Sequence, residues 1–111
     1  DEYSLEVDGF MMTKDEVRAR ELSQRLEERI KAREIRGMKS FDGFFYILEC
    51  ALLARFEPGL LSFLKARKTA GLEAIGAELK VNKHLARALC EFEREDGNII
   101  EKRRDLFQYV E

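Results

Sequence analysis

"VNKHLARALCEFERE", residues 81 to 95, decides how this chain is read. On a helical wheel Leu85, Ala88, Leu89 and Phe92 converge on one side while Lys83, Arg87 and Arg94 share the other, the period of an amphipathic helix. Asn82 stands just before the first periodic residue, where a side-chain oxygen satisfies free helix amides. Gly97 follows the last one, where a left-handed residue commonly ends a helix.

Working outward, "LEAIGAEL" (72–79) predicts a two-turn helix with Leu72, Ile75, Gly76 and Leu79 on one side, Gly76 permitting a close helix approach. "KVNK" (80–83) is the break between the two helices, and Thr69 to Gly71 is a turn. Downstream, "NIIEKRRDLFQYVE" (98–111) holds two runs of strand formers around a polar centre, which predicts a β-hairpin with Phe107 and Tyr109 facing inward.

Upstream, Thr13 with Glu16 forms a capping box and Met12 with Val17 a hydrophobic staple, so a long helix is expected from about Lys14 to Arg36. Its apolar seam, Ala19, Leu22, Leu26 and Ile30, is narrow. Such a helix gains its stability by packing, on its own domain or on a second subunit. Gly37 ends it and Ser40 caps the next, "FDGFFYILECALLARF" (41–56), which is apolar on every side: Phe44, Phe45, Tyr46, Ile47, Leu48, Leu52, Leu53, Phe56. A surplus apolar face marks an association surface. A homodimer is therefore expected, with Leu22, Leu26, Ile30, Phe44, Phe45, Leu48 and Leu52 at the interface. Pro58 and Gly59 break the chain before a short helix, "GLLSFLKARK" (59–68), whose Leu60, Leu61, Phe63 and Leu64 face the core.

The fold expected from these elements is mainly α: a winged helix-turn-helix, a helical bundle closed by a C-terminal two-stranded hairpin and preceded by a long amphipathic helix. Residues 1–12 stay unassigned, and residues 13–111 form one domain, as the 111-residue length suits. The longest apolar run is about 13 residues, short of the ~20 of a membrane span. Without a signal peptide a cytoplasmic setting follows. Cys50 and Cys90 lack C-x-x-C spacing and read as buried thiols rather than a zinc site or disulfide. The start at Asp1 and the end straight after a strand-like run suggest a piece of something longer.

In a helix-turn-helix the first turns of the second helix enter the major groove, so Lys83, His84 and Arg87 would read bases, with Lys102, Arg103 and Arg104 gripping the backbone. His84, the one histidine, otherwise reads as a surface residue. Charge weighs against this use. Lys and Arg number 20 against 22 acids, a net charge of -2. Over residues 83 to 96 three cations meet four anions (Glu91, Glu93, Glu95, Asp96), and Glu101 and Asp105 flank the hairpin's "KRR". Acids beside phosphate oppose the counterion release that drives binding.

Residues 44 to 110 resemble the N-terminal dimerisation domain of S-adenosylmethionine-dependent small-molecule O-methyltransferases. The resemblance lies in Gly59-Leu60-Leu61 with Phe63 and Leu64, in "LEAIGAELK", in "HLARALCEF" and in "NIIEKRRDLFQYV". It implies a non-catalytic dimerisation and substrate-lid domain, partnered by a catalytic methyltransferase domain that holds S-adenosylmethionine. No G-x-G-x-x-G occurs here, so no catalytic, cofactor or metal residue is assigned. Lys80 departs from the family, which commonly has Gly in that turn; a left-handed lysine would cost about 1 kcal/mol or more. The alternative is a winged-helix transcriptional regulator acting through Lys83, Arg87, Arg103 and Arg104.

Overall fold

The structure, a computed structural model, describes residues 3 to 111. They form two units, divided between Leu53 and Ala54. The described residues are 53% helix and 24% strand, in six helices and two three-stranded antiparallel sheets. The mainly α architecture with a two-stranded hairpin is thereby corrected to an α/β one.

In the first unit the chain runs α1 (Leu5–Asp8), β1 (Phe10–Thr13), α2 (Glu16–Arg25), α3 (Glu27–Lys31), β2 (Ile35–Lys39) and β3 (Phe45–Glu49), with sheet order β1-β3-β2. The stretch expected as an all-round apolar helix is thus divided: Phe45–Glu49 is the central strand, and the residues from Cys50 onward are helical. Its register is fixed by a tight turn. Ser40 Oγ accepts from the Asp42 amide, Asp42 Oδ1 accepts from the Phe44 amide, and Gly43 takes φ 89°. Lys39 then pairs with Phe45 and Ile35 with Glu49, while Phe10 on the other edge pairs with Leu48. A strand with Tyr46, Ile47 and Leu48 all buried has no alternation to reveal it.

The expected helix from Lys14 to Arg36 is shorter and divided. Asp15, not Thr13, caps α2, accepting from the amides of Val17 and Arg18, while Thr13 Oγ1 accepts from the Asp15 amide. The seam residues do go inward: Leu22 joins Leu5, Ile35 and Ile47 in a core against which Met11, Leu26 and Ile30 pack. Residues 3–12 of the unassigned segment supply α1 and the edge strand β1; residues 1 and 2 lie outside the described ones.

Helix α4 (Cys50–Arg67) passes from one unit to the next and continues through Pro58, where a break was expected. In the second unit it is followed by β4 (Thr69–Gly71), α5 (Leu72–Leu79), α6 (Lys83–Glu95), β5 (Ile99–Arg103) and β6 (Leu106–Tyr109). The expected turn at Thr69 is a strand, because Thr69 to Gly71 pair with Gln108 to Leu106 and give the order β4-β6-β5. Leu60, Leu64, Ile75, Leu89, Phe92, Ile99 and Phe107 are fully buried.

The turn between α5 and α6 is left-handed at Lys80, with φ 58° and ψ 44°. An L side chain there is strained. Lys80→Gly should stabilise the protein by about 0.5–1 kcal/mol, the relief exceeding the added freedom of the unfolded chain. An unchanged or lowered urea midpoint would refute that account of the turn.

Candidate nucleic-acid interface

The helix pair is held close by its smallest residue. The Val81 amide donates to the Gly76 carbonyl at 3.0 Å, and a Cβ on Gly76 would lie 3.2 Å from the Val81 oxygen. Asn82 then caps α6, its Oδ1 accepting from the Leu85 amide at 2.8 Å. Leu85, Ala88, Leu89 and Phe92 are buried, and Lys83 and His84 are exposed on the first turn.

Arg87, one turn further on, does not follow Lys83 into solvent. Its guanidinium forks onto Glu101, Nη1 donating to Oε2 at 2.8 Å and Nη2 to Oε1 at 3.1 Å. Nη1 also reaches Asp105 Oδ1 at 3.0 Å, Nη2 pairs with Glu91 at 3.1 Å, and the group lies over the Phe107 ring. Arg94 Nη1 donates to Glu91 and Glu101, both at 2.9 Å. The Asp105 amide donates to Glu101 Oε2 at 2.7 Å, and the Asp105 carbonyl accepts from the Leu72 amide. Five charged side chains thus tie the hairpin's end to α6, and a backbone bond ties it to the start of α5. Burial pushes the Glu101 carboxyl up, but the Arg87 fork, the Asp105 amide and the two guanidinium charges outweigh it and hold the group below the usual carboxylate value.

This arrangement changes the charge balance of the surface. Glu91 is 1% exposed and Glu93 is 0% exposed, so two of the four acids counted along the helix are interior. Glu101, at 15% side-chain exposure, is spent on arginines, and Asp105 shares Arg87. Lys102, Arg103 and Arg104 between them are exposed. The remaining acids, Glu95 and Asp96, lie at the far end of α6. Twelve residues of helix put them about 18 Å from Lys83, beyond a Debye length of about 8 Å at physiological salt.

At that far end Glu93 accepts from Asn98 Nδ2 at 2.7 Å through Oε1, and its Oε2 is buried with no hydrogen-bond partner among the described residues. Burial first, then the neighbouring Glu57 carboxyl, pushes the Glu93 group up to about 8. Burial likewise pushes the Cys90 thiol far up, which leaves it inert. Cys50 is only half-buried.

Of the residues expected at a dimer interface, Leu22 and Leu48 are fully buried, so neither offers surface to a second chain. Leu26, Ile30, Phe44, Phe45 and Leu52 keep partial exposure. Of the expected DNA contacts, Lys83, Arg103 and Arg104 are exposed and Arg87 is a strut. Part of the ion-pair network was available from spacing, since Glu91 lies four residues from Arg87 and three from Arg94. Comparison with protein-family models, with curated proteins and with solved structures finds no match for this chain. No helix among the described residues is long and apolar enough to cross a membrane.

Proposed function

We propose that the second unit binds duplex DNA, presenting the first turn of α6 to the major groove and the β5–β6 hairpin to the phosphates. One observation carries this reading: Glu91 and Glu93 are interior, and Glu101 and Asp105 beside the hairpin cations are paired with Arg87, leaving Lys83, Lys102, Arg103 and Arg104 as exposed cations. The positive end of the α6 dipole adds to the attraction at Lys83. Arg87 contributes indirectly, by fixing the hairpin against the helix. The two free thiols suit a cytoplasmic protein.

The methyltransferase-associated reading, a dimerisation and lid domain without its own cofactor site, keeps less support. It leaned on an apolar helix over Phe44 to Phe56, whose first part, Phe45–Glu49, is strand β3, and on the charge balance of α6, which burial alters.

Fluorescence anisotropy with a mixed-sequence duplex of about 20 base pairs tests the proposal. About three phosphate contacts predict a log–log salt slope near −2.7, so affinity falls roughly 40-fold between about 50 and about 200 mM salt. Absence of binding at low salt, or binding that ignores salt, overturns it.

A further inference from the structure

Among the described residues, three carboxylates from two helices of the second unit converge. Glu57 of α4 and Glu93 and Asp96 at the end of α6 each contribute one oxygen, and these lie within 4.8 Å of one another. Clustered acids are common on surfaces, but this group contains a side chain with no exposure. Glu93 is fully buried, one oxygen accepts from Asn98, and the other has no hydrogen-bond partner among the described residues. A buried carboxyl with an oxygen that lacks a donor keeps its proton unless a cation stands beside it, and a bound cation would displace that proton.

The backbone adds to the demand. Asp96 is the C-cap of α6, so the group sits at the negative end of the helix dipole, where a positive charge is favoured and acids are not. The last turn does contain a cation, Arg94, but its guanidinium is turned to Glu91 and Glu101.

We propose that Glu57, Glu93 and Asp96 form a binding site for a divalent cation of calcium size. The chemistry selects for it. Three carboxylates and no imidazole or thiolate make a hard, all-oxygen donor set, which suits calcium or magnesium rather than zinc or copper. Magnesium gives up its waters reluctantly and usually takes only one or two carboxylates, so three protein carboxylates favour calcium. All three oxygens lie within 4.8 Å of one another, close enough to share one such ion. Asp96 is exposed, which leaves a side for the waters that complete calcium's shell.

Isothermal titration of the full chain with CaCl2 and separately MgCl2, paired with thermal unfolding in each salt, tests this. The expected result is one calcium site that raises the unfolding midpoint, with magnesium binding at least roughly tenfold more weakly because it keeps its waters. Asp96→Asn, an exposed change that leaves the core untouched, should weaken calcium at least about fivefold by removing one ligand charge. Glu93→Gln should remove the calcium response altogether. Should millimolar CaCl2 give neither heat nor a midpoint rise, or should either variant bind calcium as the unmodified chain does, the site does not exist. Magnesium binding as tight as calcium overturns the assignment of ion size.

Discussion

Replacing Arg103 and Arg104 together by glutamate should abolish the proposed duplex binding at physiological salt and leave the fold of the second unit in place. Both side chains are exposed at the hairpin, so neither substitution opens a cavity or breaks a core contact. Their effect is electrostatic. Neutralising the pair with alanine lowers the salt slope by about 2, since each phosphate contact contributes about 0.9. Reversing the charges adds repulsion, for a loss of at least about 100-fold at low salt. Lys83→Ala behaves differently. A groove contact shows up as relaxed preference among duplexes, by about 1–3 kcal/mol at one base pair. Arg20→Glu on α2 of the first unit supplies the control for net charge, because Arg20 is exposed and belongs to another part of the chain. If the control weakens binding as much as the hairpin variant, the interface has been put in the wrong place.

The surface that makes this prediction was half legible in the sequence. Asn82, Gly97 and the spacing of Leu85, Leu89 and Phe92 gave α6 correctly to within a residue, because an amphipathic helix with its own caps carries its signal locally. The cations of the hairpin were equally plain. What the sequence concealed was the direction of the acids. Glu101 and Asp105 meet Arg87 across 14 and 18 residues, and nothing in a linear charge count marks a pair at that separation. Counting Glu91, Glu93 and Glu101 as surface charge, and Asp105 as charge not spent on Arg87, therefore weighted the balance the wrong way.

The first unit was misread for a related reason. Phe44 to Phe56 is apolar on every side, and a buried central strand looks the same as a buried helix when periodicity is the guide. The deciding signal was the short "SFDGF", residues 40 to 44, since Asp-Gly between strand-forming runs is among the strongest local marks of a hairpin. Strand β4 carried no comparable mark. Three residues become a strand only because β6 lies beside them. Pro58 misled in the opposite direction: an interior proline ordinarily breaks a helix, at a cost of about 3 kcal/mol, yet α4 continues through it.

Arg87→Met should destabilise the second unit by about 3–5 kcal/mol, the range seen when one partner of a buried charge pair is removed. The loss comes less from the departed contacts than from what stays behind: Glu91 at 1% exposure and Glu101 at 15% side-chain exposure, deprived of the Arg87 charge with the single Arg94 guanidinium shared between them. The pH dependence separates this mechanism from lost packing. In the folded protein Glu101 is held below its ordinary value of 4.5, chiefly by the Arg87 fork working against burial. A carboxyl with a depressed folded pKa contributes stability that is complete above its unfolded value and is lost as pH falls through the folded one. Urea unfolding of the unmodified chain should therefore show stability falling below about pH 4.5, a slope that Arg87→Met flattens because the fork is gone. Arg87→Lys retains the charge but not the fork, so it should recover only part of the stability. It should also bind duplex more weakly than the unmodified chain at equal net charge, since the hairpin is no longer pinned to α6. An Arg87→Met protein within about 1 kcal/mol of the original, with its acid slope unchanged, would mean that the ion pairs are incidental. The hairpin would then owe its position to Ile99, Phe107 and the strand pairing with β4.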